Sequence, residues 1–251
     1  MAYRSMELEE VAAHLHLTPA EVLEYVKTNE IPHEHRGGRA IFVQDEIDAW
    51  ASKRILEMGD QKLVAYHAKT TLGTRSILDQ DALMPDLIST EYINLTLQSK
   101  TKHSVIEDMV GLAQNTNRVL DIIELRQSVE EREDLCSTAL PGGIALLHSR
   151  NHDAYRFDGS FMVFGRSIQD VPFGAPDGGT SRLFFLLCCQ DDHLHLHTLA
   201  RLCLMIQKTD MIERLYCAET PDEVYHAIVA CELAALVGKK HPEPETPVEL
   251  E

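Results

Sequence analysis

The stretch from Leu140 to Arg150 offers the chemistry to consider first: Leu-Pro-Gly-Gly-Ile-Ala-Leu-Leu-His-Ser-Arg. A Pro-Gly-Gly turn leads into a short apolar run, and the run ends on His148. The glycines lack a Cβ, so the backbone can reach angles that let main-chain N–H groups converge on one point. Ile144 to Leu147 reads as a buried strand, which sets His148 where a rigid element gives way to a loop. A histidine there can be a nucleophile, a base or a metal ligand, or a hydrogen-bonded structural residue. Upstream, Arg132 to Thr138 supplies a cation and hydroxyls. Downstream, His193, His195 and His197 alternate with leucines. On a strand those three would share a face able to hold zinc, with Asp191 or Asp192 nearby. On a helix only His193 and His197 align, and the spacing of Leu194, Leu196, Leu199 and Leu202 allows the helix.

Several segments follow one another in a recognisable order: Arg132-Glu133-Asp134-Leu135-Cys136-Ser137-Thr138, Ile144 to His148, Val163-Phe164-Gly165-Arg166, Pro172 to Gly178, Leu183 to Leu187, and His195-Leu196-His197-Thr198-Leu199-Ala200-Arg201-Leu202. This order resembles the enzyme IIA domain of the sugar phosphotransferase system, in its fructose/mannitol and nitrogen-regulatory branch. That family carries a pattern close to R-E-x-x-x-S-T-x-x-x-x-G-I-A-x-P-H, and later H-L-x-x-L-A-x-L. The resemblance runs from Leu83 to Leu236. It implies phosphoryl acceptance on His148 from an HPr-type phosphocarrier protein. His195 falls on the family's second site histidine, and Arg132 and Thr138 lie at matching motif positions. Such transfer depends on positioning and on stabilising three equatorial oxygens. The groups on offer for that are the Gly142-Gly143 backbone (Gly143 above all), Ser137, Thr138, Ser149, and Arg132 or Arg150. The sequence departs from the pattern at Leu147, where the family usually has Pro, and at Ala139, where Gly often follows Thr. Leucine in place of proline frees φ and adds a backbone N–H just before the histidine.

The elements that must hold these residues are legible in outline. Strands are expected around residues 91–97, 143–147, 158–165 and 182–188, and helices over 101–115, 120–133, 194–206 and 221–237. Helices interleaved with strands predict an α/β fold, and the resemblance specifies an enzyme IIA-like mixed sheet flanked by helices over residues 83–238.

Residues 1–58 form a separate unit. Leu8, Val11, Ala12 and Leu15 have helical periodicity. Thr18-Pro19-Ala20-Glu21 is a helix start with a capping box, and the helix it opens is expected to bury Val22, Leu23 and Val26. A turn at Arg36-Gly37-Gly38-Arg39, the strand Ala40 to Val43 and the helix start at Asp45, Ile47 and Trp50 complete a resemblance to the excisionase/MerR-like winged helix-turn-helix. DNA-reading helices usually carry Arg, Lys, Asn or Gln, whereas this one carries Glu21 and Glu24. Residues 1–58 hold eleven Asp/Glu against six Lys/Arg, a formal charge of −5. Only Arg36 and Arg39 offer a DNA contact, so the unit is read as binding either DNA or a regulated protein. Residues 59–82 are read as the end of a long helix, broken at Gly59, and a linker that could carry a homodimer seam. Residues 239–251 are read as a disordered Pro- and Glu-rich tail.

Composition bounds the rest. The chain has 251 residues, 44% hydrophobic and 25% charged, with a formal net charge of −17. It carries no apolar run long enough for a membrane span, and its start lacks a signal-peptide core. The six cysteines form no C-x-x-C pair and are read as reduced core residues of a cytoplasmic protein. So acidic a chain is a poor generic ligand for nucleic acid or anionic membrane. No cofactor and no metal are expected. Two alternatives to a regulatory phosphocarrier stay open: an enzyme IIA-like interaction scaffold that is never phosphorylated, and a metal-dependent enzyme using the cluster from His193 to His197.

Overall fold

A computed structural model describes residues 4–74, 83–150 and 156–237. The chain begins with strand β1 (Ser5–Met6), helix α1 (Leu8–His14), helix α2 (Pro19–Lys27) and a hairpin of β2 (Glu34–Arg36) and β3 (Arg39–Val43). The capping box at Thr18 forms as its sequence predicts, with the hydroxyl accepting from the Glu21 N–H and the Glu21 carboxylate accepting from the Thr18 N–H. Val22 is buried, but Leu23 is 41% exposed, because it points off the stripe that meets the unit's small core. Gly37 and Gly38 turn the hairpin at φ +59° and +80°, angles that a side chain disfavours. Strand β3 lies centrally in the order β1-β3-β2.

Helix α3 (Gln44–Leu56) leaves β3 directly, and α4 (Asp60–Thr74) follows it. The expected break falls at Gly59, but helix continues to Thr74 where a linker was anticipated from residue 70. The rest of that linker and the tail lie outside the described residues.

The second part contains α5 (Met84–Leu87), β4 (Ile93–Leu97), α6 (Lys102–Gln114), α7 (Ile122–Leu135), β5 (Ala139–Leu140), β6 (Ile144–His148), β7 (Phe161–Val171), β8 (Ser181–Cys188), α8 (Asp192–Lys208), α9 (Met211–Cys217) and α10 (Pro221–Val237). The sheet order is β4-β7-β8-β6-β5. β6 runs parallel to β8 and β4 parallel to β7, while β7–β8 and β5–β6 are antiparallel. This is a mixed sheet with helices on both faces. Strand β7 starts and ends later than its apolar pattern suggests, because its far half turns residues such as Ile168 outward and loses the pattern.

Alternation along β6 assigns its side chains. Ile144 and Leu146 join the core beneath α8, α9 and α10, whereas Ala145 and Leu147 join the core beneath α6 and α7. His148 therefore continues the α8 side. The α8-side core is continuous with Val11, Val22, Phe42, Ile47, Ile55 and Leu63 of the N-terminal unit. Both α3 and α4 lie along α8. All six cysteines are free thiols. Cys217 is exposed and Cys136 half-buried, unlike the all-core reading, because both stand at helix ends. Among the described residues, no helix is long and apolar enough to cross a membrane.

Candidate functional site

His148 ends β6, and its ring lies 4.7 Å from that of His195, tilted by 44°. Each of the two residues is 1% exposed. The Nδ1 of His148 is 2.9 Å from the Leu146 carbonyl oxygen. A carbonyl only accepts, so Nδ1 bears the proton and Nε2 presents its lone pair. Arg132 donates to that lone pair through Nε–H at 3.0 Å, and its Nη1 is anchored on the Cys136 carbonyl. The remaining nitrogen, Nη2, is buried with no hydrogen-bond partner among the described residues. An unsatisfied cationic N–H beside an unprotonated imidazole nitrogen is an arrangement suited to an anionic oxygen. His195 sits in the first turn of α8, where the helix N-terminus adds partial positive charge. The Ser52 hydroxyl of α3 lies 3.3 Å from its Nε2, so the N-terminal unit meets the pair at His195.

The other sequence candidates separate. Thr138 donates its hydroxyl to Glu133 at 2.7 Å, and its N–H goes to the same carboxylate. Glu133, 3% exposed, also receives Lys102 at 3.0 Å. Thr138 thus shapes the loop around Glu133, and its hydroxyl is engaged there. Gly143 stands at the opposite end of β6 from His148, about 16 Å away at ~3.3 Å per residue. It cannot cradle a group on His148. Its φ of +83° and the Tyr216 hydroxyl in the space of a Cβ call for glycine, and its carbonyl accepts from the Arg182 and Leu183 N–H groups. The Pro-Gly-Gly turn sets β6 on β8 rather than forming an anion nest. Arg150 turns toward α7, with its backbone N–H on Ser128 and its guanidinium 3.9 Å from Glu131. Ser149 is fully buried. Leu147 fills the α6/α7 core opposite the histidine pair. Arg36 and Arg39 lie on the exposed hairpin, and Arg36 is paired with Glu34 at 2.8 Å.

The three alternating histidines do not share a face. Successive helical residues turn by about 100°, so side chains two apart diverge. His195 meets His148; His193 meets His16, with ring nitrogens 3.0 Å apart. His197 stacks on His67, centroids 5.0 Å apart, and lies 2.9 Å from the Thr70 hydroxyl of α4. The proposed zinc face of His193, His195 and His197 is therefore absent.

Sequence reasoning missed the seam that places α4 on α8. Arg201 pairs with Glu232 at 2.6 Å, both almost wholly buried, and donates to His67 Nε2 at 2.6 Å. The Glu232 carboxylate also accepts from the Leu83 and Met84 N–H groups. Nothing local marks these residues, since they lie far apart in the chain. At the other end of α8, His14 is 2.5 Å from Asp48 and 3.9 Å from Asp192. Burial opposes charge on His14, but the hydrogen bond and charge of Asp48, with Asp192, outweigh it and raise its pKa. Burial, with the neighbouring His193, pushes His16 down to about 4.

The family model for the phosphoenolpyruvate-dependent sugar phosphotransferase system, EIIA 2, matches residues 86–231. The fructose-specific EIIABC component of that system from Bacillus subtilis (strain 168) is 26% identical over 145 residues, which is 57% of this chain and 22% of the relative. The chain thus spans about a fifth of that relative's length. Nitrogen regulatory protein IIA-Ntr from Neisseria meningitidis superposes with a TM-score of 0.52 at 24% identity, covering 57% of this chain and 97% of the other. Enzyme IIA for mannitol from Escherichia coli, in its complex with phosphorylated enzyme IIB, gives a TM-score of 0.50 at 24% identity over 57% and 97%. These structural likenesses show the fold. The family match begins at residue 86 and leaves the N-terminal unit outside it.

Proposed function

We propose that this chain, which belongs to the phosphotransferase system EIIA 2 family, is a regulatory phosphocarrier that accepts a phosphoryl group on His148 Nε2 beneath an N-terminal roof. The observation that carries this reading is the unprotonated Nε2 beside the partnerless Nη2 of Arg132. An HPr-type donor presents phosphohistidine. The Nε2 lone pair attacks phosphorus in line as the donor's N–P bond breaks, and the donor imidazole leaves with that electron pair. Arg132 gives up its bond to Nε2 and turns its N–H groups to the equatorial oxygens. The Nδ1–H bond to Leu146 holds the ring and stabilises its positive charge. His195 supports the ring and faces the incoming charge.

The N-terminal unit, read as an excisionase/MerR-like winged helix, supplies the output. A donor reaches His148 only when α3 lifts from His195, so phosphorylation and release of the unit are coupled. The added charge beside Ser52 then resists closure. The net charge of the unit and the Glu34 partner of Arg36 favour a protein target over DNA.

The test is a phosphoenolpyruvate-driven relay with intact mass and acid lability as readout. An acid-labile phosphate is expected on wild type, lost in His148→Ala and slowed in His195→Ala. The burial of both histidines gives the scaffold reading its support. No label on wild type, with a control enzyme IIA labelled in the same relay, would establish that scaffold instead.

A further inference from the structure

We infer that His14, Asp48 and Asp192 form a site for a divalent transition-metal ion of the zinc type at the seam between the N-terminal unit and α8, with the His16 and His193 rings packed beside it. The site stands apart from the histidine pair and does not rest on the phosphocarrier reading.

The geometry carries the inference. One donor atom from each of His14, Asp48 and Asp192 lies within 4.8 Å of the others, with His14 and Asp48 buried and Asp192 half-buried. Asp192 also accepts from the Gln44 amide at 3.0 Å, which fixes its carboxylate in the seam. The His193 ring packs against both His14 and His16, with centroids at 5.9 Å and 4.8 Å. Zinc bonds of about 2.0–2.2 Å in tetrahedral arrangement set neighbouring donors about 3.3 Å apart. His14 faces Asp48 through Nε2 at 2.5 Å and Asp192 through Nδ1 at 3.9 Å; an ion takes one of the two ring nitrogens, and with both carboxylates within 4.8 Å of it the donors reach that spacing by small inward shifts. Imidazole and carboxylate donors together select zinc-like ions over calcium or magnesium.

Local structure supports the same use. His16 adopts φ +54°, a left-handed conformation uncommon for a residue with a side chain. That turn brings it back toward α8. His14 closes α1, Asp48 lies in the first half of α3, and Asp192 opens the helix that carries His195. An ion here joins three elements and ties the roof to α8 at its active end.

The full chain, stripped with chelator, is titrated with Zn²⁺ or Co²⁺ alone, and bound metal is read by elemental analysis and cobalt absorption. One equivalent is expected, with a rise in Tm on zinc addition. Asp192→Asn and His14→Gln are each expected to weaken binding by about ten-fold or more. His193→Gln at the rim gives a milder loss and serves where a buried variant does not fold, as judged by circular dichroism. Substitution of a histidine pair remote from the seam, His33→Gln/His35→Gln on the hairpin, is expected to leave binding unchanged. Absence of a bound equivalent, binding indifferent to all three seam variants, or loss with the hairpin variant would overturn the site.

Discussion

The N-terminal unit has two faces of opposite character. Its helical face, α3 and α4, is buried against α8 through an apolar core and a chain of buried polar contacts: Ser52 to His195, Thr70 to His197, and His67 to Arg201. Its hairpin, β2 and β3, is exposed, and Arg36 is paired with Glu34 within the same strand. A winged unit read by analogy would be judged by its wing. Here the surface with the most committed chemistry is the one turned inward, onto the histidine pair. A domain's fold thus says little about which of its faces does the work.

The sharpest way to break this contrast is to remove its buried ion pair. Arg201→Ala leaves the Glu232 carboxyl of α10 buried without its ion-pair partner and removes the bond across the seam to His67, and should cost about 3–5 kcal/mol by urea unfolding; a loss below about 1 kcal/mol would mean that this network does not bear on stability. A smaller cut tests the coupling. Thr70→Val removes the hydroxyl that meets His197 across the seam, at about 1 kcal/mol. If opening limits access, the initial phosphorylation rate should rise about five-fold; an unchanged rate would mean that the donor reaches His148 without displacing α4. Next comes acidity. The hydrogen bond from Lys69 on α4, with the Thr18 backbone, holds the Glu21 carboxyl down at about 2. The carboxylate is favoured in the fold, so its contribution is present above about 4.5 and lost as pH falls toward about 2. Glu21→Gln should therefore lower Tm slightly near pH 6, by less than about 1 kcal/mol for so exposed a pair, and match wild type at pH 2. The smallest effect belongs to the hairpin: Arg36→Ala/Arg39→Ala should change stability by under about 0.5 kcal/mol and leave phosphorylation unchanged. A salt-dependent DNA shift in wild type that this variant loses would restore the wing as a reading surface.

Much of the second part was legible because its signals are local. Helix α10 runs from Pro221 to Val237 as its pattern predicts, and β6 ends on His148. The match to the EIIA 2 family accords with the motif order from Arg132 to Leu202. Legibility failed where a residue's role depends on direction. Gly143 and His148 are close in sequence, yet extended chain sets them at opposite ends of one strand. Thr138 is a plausible oxygen donor from its spacing, yet Glu133 takes its hydroxyl. The histidines from 193 to 197 form a set in the sequence and scatter around one helix.

The sequence by itself determined the elements, the mixed α/β class, the pairing of an acidic N-terminal unit with an enzyme IIA-like domain, and His148 at a strand end. Those follow from periodicity, caps and motif order, which act over a few residues. Only the tertiary structure decided that Nε2 is the nitrogen of His148 that faces Arg132, that α3 meets its neighbour His195, and that α4 packs along α8. Hydrogen bonds fix a tautomer only once a particular carbonyl lies in reach. The seam, in turn, joins residues more than a hundred positions apart, whose meeting is set by how whole helices pack and by no pattern along the chain.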